Sequence, residues 1–215
     1  MHSVYLFDFD YTLADATVGI IGSFNAALTQ MGYPALDSDT ICRTVGMTLP
    51  NAFTHVTGNT DPELAKNFTS LFMKKADDIM SPGTNLLPGC VELLTFLKNR
   101  GFKTGIVSSK PRFRIAELLR LRQIEHLIDV VVGYEDVTNH KPHPEALQAA
   151  LKRLHATEKD TLYVGDTVID AEAARNAGIA FAAVTTGTTT KEDFAPFADI
   201  AVYNDLTDLL GALRS

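Results

Sequence analysis

The sequence predicts an α/β protein, a parallel sheet flanked by helices and interrupted by one inserted helical module. Three observations carry this prediction. Short apolar runs rich in β-branched and aromatic residues recur along the chain with amphipathic segments between them, which is the pattern of βαβ units. The gap after the first run is long and helical in its periodicity. Finally, the 215 residues are 46% hydrophobic and 21% charged, which suits a sizeable core and excludes disorder, collagen and coiled coil.

The first strand is placed at about residues 3–8, where Val4, Tyr5, Leu6 and Phe7 follow one another without a polar break, as expected of a strand covered on both faces. No strand pattern follows until about residue 103. Between them Val18, Ile21, Phe24, Leu28 and Met31 make one helical stripe, and Leu64, Phe68, Leu71 and Phe72 make another. These residues predict a small helical domain over 15–82, bounded by Asp15-Ala16 and Ser81-Pro82-Gly83, within a core formed by 1–14 and 83–215. The alternative is that these helices cover one face of the sheet. Cys90, Leu93, Leu94 and Leu97 then recur at helical spacing, with Gly101 as the stop. A strand at 103–107 leads to Pro111, after which Ile115, Leu118, Leu119 and Arg122 mark the next helix. Further strands are placed at 129–133, 161–164, 180–184 and 199–202.

Nineteen Lys and Arg against 26 Asp and Glu give a formal net charge of −7. The basic clusters that track a phosphate backbone or an anionic bilayer are missing, so neither nucleic acid nor membrane is expected as a partner. A small anionic substrate remains open, because a bound cation reverses the local sign at a carboxylate cluster. Cys42 and Cys90 stand in neither a CxxC nor a Cys/His ligand pattern and are expected as reduced thiols. No window approaches the roughly 20 apolar residues of a membrane span, and no signal-like segment precedes the first strand. The expected location is the cytoplasm.

Polar residues collect where strands run out, the place where open parallel sheets bind ligands. The first strand ends in Asp8-Phe9-Asp10-Tyr11-Thr12. Strand side chains repeat every second residue, so Asp8 and Asp10 are expected on one side. Adjacent carboxylates repel, and a divalent cation is the natural partner. The second strand ends in Ser108-Ser109-Lys110 before a Pro-initiated helix, which suits either a phosphate cradle or a plain Ser cap. His140-Lys141-Pro142-His143-Pro144-Glu145 places a lysine before a helix start, and a later strand ends in Gly165-Asp166-Thr167-Val168-Ile169-Asp170. Asp166 or Asp170 alone would suit a helix cap or dipole. Independent capping does not predict the conjunction of all four. Thr185-Thr186-Gly187-Thr188 reads as a solvated turn.

Taken in order, DFDYT, VSSK, KPHPE and GDTVID resemble the four signature motifs of the haloacid dehalogenase-like superfamily, and the resemblance extends over nearly the whole chain outside the helical insertion. The insertion looks like the helical cap of the branch that contains phosphoglycolate phosphatases and β-phosphoglucomutases. The resemblance implies a Rossmann-like core with strand one near the middle and a mobile cap. It also implies Asp8 as nucleophile, Asp10 as general acid and then base, and Lys141 and Ser108 as catalytic partners. Ser108, Ser109, Lys141, Thr12 and Arg43 are implied to bind substrate, and Asp8, Asp10 (through its carbonyl), Asp166 and Asp170 to surround Mg²⁺. Asp170 is implied to sit beside the metal, as a ligand through water or in support. Where the family usually has Gly, this chain has Tyr11, expected to pack at the cap hinge.

Dehalogenases and phosphonoacetaldehyde hydrolases of this layout lack an acid at the position of Asp10, so the resemblance favours phosphoryl transfer. The expected function is a Mg²⁺-dependent phosphatase for a small phosphorylated metabolite such as phosphoglycolate. A pyrophosphatase or nucleotidase, a sugar phosphomutase of the β-phosphoglucomutase type and a non-enzymatic phospho-receiver module are the alternatives. The mutase needs a second phosphate site, for which Arg43, Lys66, Lys74 and Lys75 offer no clear clamp. Receiver domains do not carry so large an insertion after their first strand. Oligomeric state is not legible.

Overall fold

The computed structural model describes residues 2–197 and 200–215. In chain order its elements are β1 (Val4–Phe7), β2 (Ala14–Asp15), α1 (Thr17–Gln30), α2 (Ser38–Cys42), α3 (Leu49–Thr57), α4 (Pro62–Ile79), β3 (Asn85–Leu86), α5 (Cys90–Asn99), β4 (Lys103–Val107), α6 (Arg112–Leu121), β5 (Val130–Val132), α7 (Glu145–Leu154), β6 (Thr161–Gly165), α8 (Val168–Ala177), β7 (Ala180–Val184), β8 (Ala201–Tyr203) and α9 (Leu206–Arg214). Short 3₁₀ turns join several of them. The strand expected at 199–202 is seen as β8, while residue 199, like 198 and Met1 of the expected core segments, lies outside the described residues.

Contacts divide the chain into two compact units, one running to Asp15 and resuming at Leu86, the other Ala16–Asn85. The first holds a six-stranded sheet in the order β5-β4-β1-β6-β7-β8, with every pairing parallel. Alternation sorts its central strand: Tyr5 and Phe7 pack with Leu93, Leu94 and Leu97 of α5 and Ile115 of α6, whereas Val4 and Leu6 face Leu147 and Leu151 of α7 and Ala174 of α8. Both faces of β1 are therefore buried, which explains its unbroken apolar run.

The chain order reverses beside β1: β4 and β5 extend the sheet on one side, and β6, β7 and β8 on the other. Phe7 is in register with both Ile106 of β4 and Val164 of β6. Asp8, Ser108 and Asp166 consequently leave adjacent strands at the same edge, where parallel sheets open a crevice. β2 and β3 form a separate two-stranded sheet.

The unit Ala16–Asn85 contains α1 to α4 around Phe24, Phe53, Phe68 and Phe72; Phe24 and Phe68 meet edge-on with centroids 4.8 Å apart. Asp37, Thr48 and Asp61 cap α2, α3 and α4 by accepting backbone N–H bonds. The first stripe is shifted from its expected place. Ile20, Phe24, Ala27 and Leu28 are buried, and Val18 is 72% exposed. At 3.6 residues per turn, Val18 lies nearly opposite Ile20, so its apolar side chain cannot join that face. Arg122 is likewise exposed beyond the end of α6.

Candidate active site

β1 delivers Asp8 into the sheet edge, with its N–H bonded to the Val164 carbonyl at 2.8 Å. Its carboxylate Oδ1 lies 3.0 Å from Lys141 Nζ. The same ammonium donates to Asp170 Oδ1 at 2.6 Å and to the Tyr163 hydroxyl at 3.1 Å. Tyr163 donates in turn to Asp170 Oδ1 at 2.8 Å. Asp8, Lys141, Tyr163 and Asp170 are all buried, so Lys141 sits as a cation between two carboxylates. The loop carrying it is tied by Glu145 at the start of α7, whose carboxylate accepts the N–H groups of Thr138 and Asn139, and by Asn176, which donates to the Pro142 carbonyl.

Asp166 follows β6 with one oxygen accepting the Thr12 hydroxyl at 3.1 Å. Its other oxygen, Oδ2, is buried and accepts no hydrogen bond from any described residue. Asp170 differs: Oδ2 accepts from the N–H and hydroxyl of Thr167 in a capping box at the start of α8, and Oδ1 serves Lys141 and Tyr163. Gly165 makes room for it, since a Cβ there would stand 2.7 Å from Asp170 Oδ2. Carboxylate oxygens of Asp8, Asp166 and Asp170 lie within 4.8 Å of one another.

Three carboxylates around one ammonium leave a negative excess in a dry place. Burial pushes Asp8 up to about 6, against the pull of Lys141 and with the push of Asp170. Asp166 is raised well above the carboxylate range by burial and by the charges of Asp170 and Asp8. For Lys141 burial acts downward, but Asp170 and Asp8 outweigh it and keep the ammonium protonated above its usual range. An all-oxygen set with an unsatisfied oxygen and surplus negative charge fits a hard divalent cation such as Mg²⁺.

The turn after β7 is part of this place, contrary to the solvated turn expected. Thr186 donates its hydroxyl to the Tyr11 carbonyl, and Gly187 packs so closely that a Cβ would collide with Asp166 Oδ2. A run of small polar residues reads as solvent-facing in sequence because the approach of its backbone to Asp166 is a tertiary event. Tyr11 itself is buried with φ of 60°. That left-handed backbone is easiest for Gly, and a bulky residue there costs about 1–3 kcal/mol. The turn that Gly permits is therefore kept with a ring in its place.

Ser108 ends β4 and is buried. It does not cap α6, whose first flanking residue is Pro111 without a side-chain cap; its Oγ accepts the Lys110 N–H at 3.3 Å. Ser109 is half-buried beside it. Thr12, expected among the substrate-binding residues, is fully buried and donates its hydroxyl to Asp166. Arg43 lies in the other unit, exposed at the end of α2.

The carboxylate of Asp10 takes a different ammonium from that of Asp8. Both its oxygens accept from Lys110 Nζ, at 2.9 and 3.0 Å. Neither Lys110 nor Tyr163 was singled out by sequence reasoning. Lys110 had a signal, its place in the Ser108-Ser109-Lys110 strand end; Tyr163 had none, being one more aromatic in a strand.

Residues 5–184 match the haloacid dehalogenase-like hydrolase family. The phosphoglycolate phosphatase of Salmonella typhi is 30% identical over 96% of this chain and 90% of its own length. The pyrophosphatase PpaX of Bacillus cereus is 32% identical over 83% and 81%. The crystal structure of a haloacid dehalogenase-like hydrolase from Bacteroides fragilis, 42% identical, superposes with a TM-score of 0.94 over 97% of this chain and all of that one. Among the described residues, no helix is long and apolar enough to cross a membrane.

Proposed function

The chain belongs to the haloacid dehalogenase-like hydrolases and is a phosphatase; from that premise we propose that it is Mg²⁺-dependent and hydrolyses a small phosphomonoester of the phosphoglycolate kind through a phosphoaspartyl intermediate on Asp8. One observation carries this reading. A buried carboxylate at the end of the central strand touches a buried ammonium and stands beside a second carboxylate with an unsatisfied oxygen.

Asp8 attacks phosphorus through a carboxylate oxygen. As that bond forms, the bond to the leaving oxygen breaks, and the leaving oxygen keeps the electron pair and takes a proton from Asp10. Water then attacks the phosphoryl group, gives its proton to Asp10 and releases Asp8 with the electron pair of the broken acyl phosphate bond. Inorganic phosphate departs and both carboxyls are restored. Lys141 offsets the repulsion between Asp8 and the incoming dianion. The Ser108 hydroxyl and the Ser109 N–H hold phosphoryl oxygens. Asp8, Asp166 and the Asp10 carbonyl would hold Mg²⁺, which would supply further neutralisation of those oxygens. Asp170, both of whose oxygens are hydrogen-bonded, acts by fixing Lys141 rather than as a ligand in its own right. Substrate choice beyond the phosphoryl group is assigned to the helical unit that carries Arg43. The free cysteines support the reducing, cytoplasmic setting included in this reading.

Cation binding is testable without turnover. A ligand at 100 times its dissociation constant stabilises by about 2.7 kcal/mol, or about 5–10 °C in Tm for a chain of this size. The wild type is expected to show such a gain with Mg²⁺. Gly187→Ala, whose methyl group claims the space beside Asp166 Oδ2, is expected to lose most of it. A Gly187→Ala gain equal to that of the wild type would remove this oxygen from the cation site.

The test of function is phosphate release with Mg²⁺ from phosphoglycolate, nucleoside monophosphates, hexose phosphates and pyrophosphate, with Asp8→Asn as the blank. Release led by phosphoglycolate is expected. Preference for pyrophosphate would move the substrate class toward that of the PpaX relative, and no release above the blank would defeat the reading.

A further inference from the structure

The proposed reaction leaves Lys110, which is ion-paired to Asp10 at this sheet edge, without a task. Its ammonium bridges both oxygens of Asp10 at 2.9 and 3.0 Å, and the two side chains are only 9% and 14% exposed. The charge also lies 5.6 Å from the centroid of the Phe9 ring. Its backbone is held on both sides: the N–H donates to Ser108 Oγ at 3.3 Å, and the carbonyl accepts the Tyr134 N–H at 3.1 Å. Gly133, just before Tyr134, admits this contact because a Cβ there would collide with the backbone of Arg112. A surface lysine searches many rotamers and loses that freedom on fixing. Here the fixing is built into the loop.

We propose that Lys110 is a positioning residue for the acid–base carboxylate of Asp10. The inference rests on the reading of Asp10 given above. Asp10 must face the leaving oxygen in the first half-reaction and water in the second, and a carboxylate on a strand-end turn is otherwise free to rotate about two bonds. One ammonium spanning both oxygens fixes that rotation. Because Lys110 lies two residues after Ser108, the loop that grips the phosphoryl group also sets the carboxylate that exchanges protons around it.

The two half-reactions separate this role from a structural one. With nitrophenyl phosphate the leaving phenolate departs without needing a proton, so formation of the phosphoenzyme does not require Asp10, whereas its hydrolysis does. The experiment compares wild type, Lys110→Met, Lys110→Arg and Asp10→Asn with Mg²⁺. It follows the nitrophenolate burst, steady-state turnover and the phosphoenzyme fraction by acid-quenched intact-protein mass. Lys110→Met is expected to keep the burst rate within about threefold and to lose 10- to 100-fold in steady-state kcat, part of the roughly 10²–10⁴-fold that acid–base catalysis supplies. Its phosphoenzyme accumulates toward one equivalent, with KM little changed. Asp10→Asn shows the same pattern more strongly, and Lys110→Arg recovers most of the turnover. If Lys110→Met slows burst and steady state together, raises KM alone or changes nothing while Asp10→Asn accumulates phosphoenzyme, the positioning role is wrong and the reading of Asp10 stands. If Asp10→Asn itself accumulates none and turns over normally, both fall. An unfolded Lys110→Met, seen in its melting curve, leaves the decision to Lys110→Arg: full accumulation of phosphoenzyme despite a fixed cation overturns the proposal, and near-normal turnover supports it.

Discussion

Asp8→Asn is expected to lower turnover by at least about 10⁴-fold, the scale seen when a nucleophile is removed from an otherwise intact site, and to make the cation-free protein more stable at neutral pH. The amide keeps the shape of the side chain but has no anionic oxygen to attack phosphorus. The stability gain follows from the position of Asp8, whose carboxyl is pushed up to about 6 first by burial and then by Asp170. A carboxyl raised above its unfolded value of 3.8 contributes stability below that value and loses it as pH rises through about 6. The variant lacks this loss. Thermal melts in chelator should therefore show Asp8→Asn gaining on the wild type between pH 4 and 7, with little further gain above. Equal pH profiles for the two proteins would mean that Asp8 does not carry the buried charge.

Lys141→Ala is expected to damage both fold and reaction. The ammonium lies 3.0 Å from Asp8 and 2.6 Å from Asp170 in the interior, and removing one member of a buried ion pair costs about 3–5 kcal/mol because the partner charge stays behind. For a chain of this size that is a fall of about 10 °C in Tm. Turnover should fall by about 10²–10³-fold, as when a preorganised electrostatic group is deleted. Lys141→Met keeps the stem and removes only the charge, so it is expected to repeat the kinetic loss. A Lys141→Met protein with unchanged kcat would place the charge outside the chemistry, whatever its stability.

These two residues show what kind of information the sequence held. Strand positions were legible because both faces of β1 are covered, which leaves an unbroken apolar signature at Val4–Phe7. Carboxylates at the ends of β1 and β6 were legible because a parallel sheet collects functional groups at one edge. Pairing among those groups was not. Asp8 and Asp10 are neighbours on one strand end, yet each takes a different lysine, Lys141 and Lys110, from loops far away in the chain. The family resemblance placed Asp170 beside the cation, through water or in support, but nothing in the sequence showed that Thr167, Tyr163 and Lys141 would engage its oxygens. The approach of Gly187 to Asp166 was hidden for the same reason: close contact between backbone and side chain across 21 residues of sequence leaves no periodic mark. Val18 misled by its residue type alone, since a stripe drawn from apolar residues does not say which edge of it faces inward.

The most direct test of the chemistry is to locate the phosphoryl group. Asp10→Asn, incubated with Mg²⁺ and nitrophenyl phosphate, whose leaving group needs no proton from Asp10, then quenched and treated with borohydride, should carry an acyl phosphate reduced to homoserine at position 8. The proposed reaction predicts that mark at Asp8, dependent on Mg²⁺ and absent from the Asp8→Asn, Asp10→Asn double variant. A mark at another residue, or undiminished turnover in Asp8→Asn without any mark, would contradict it.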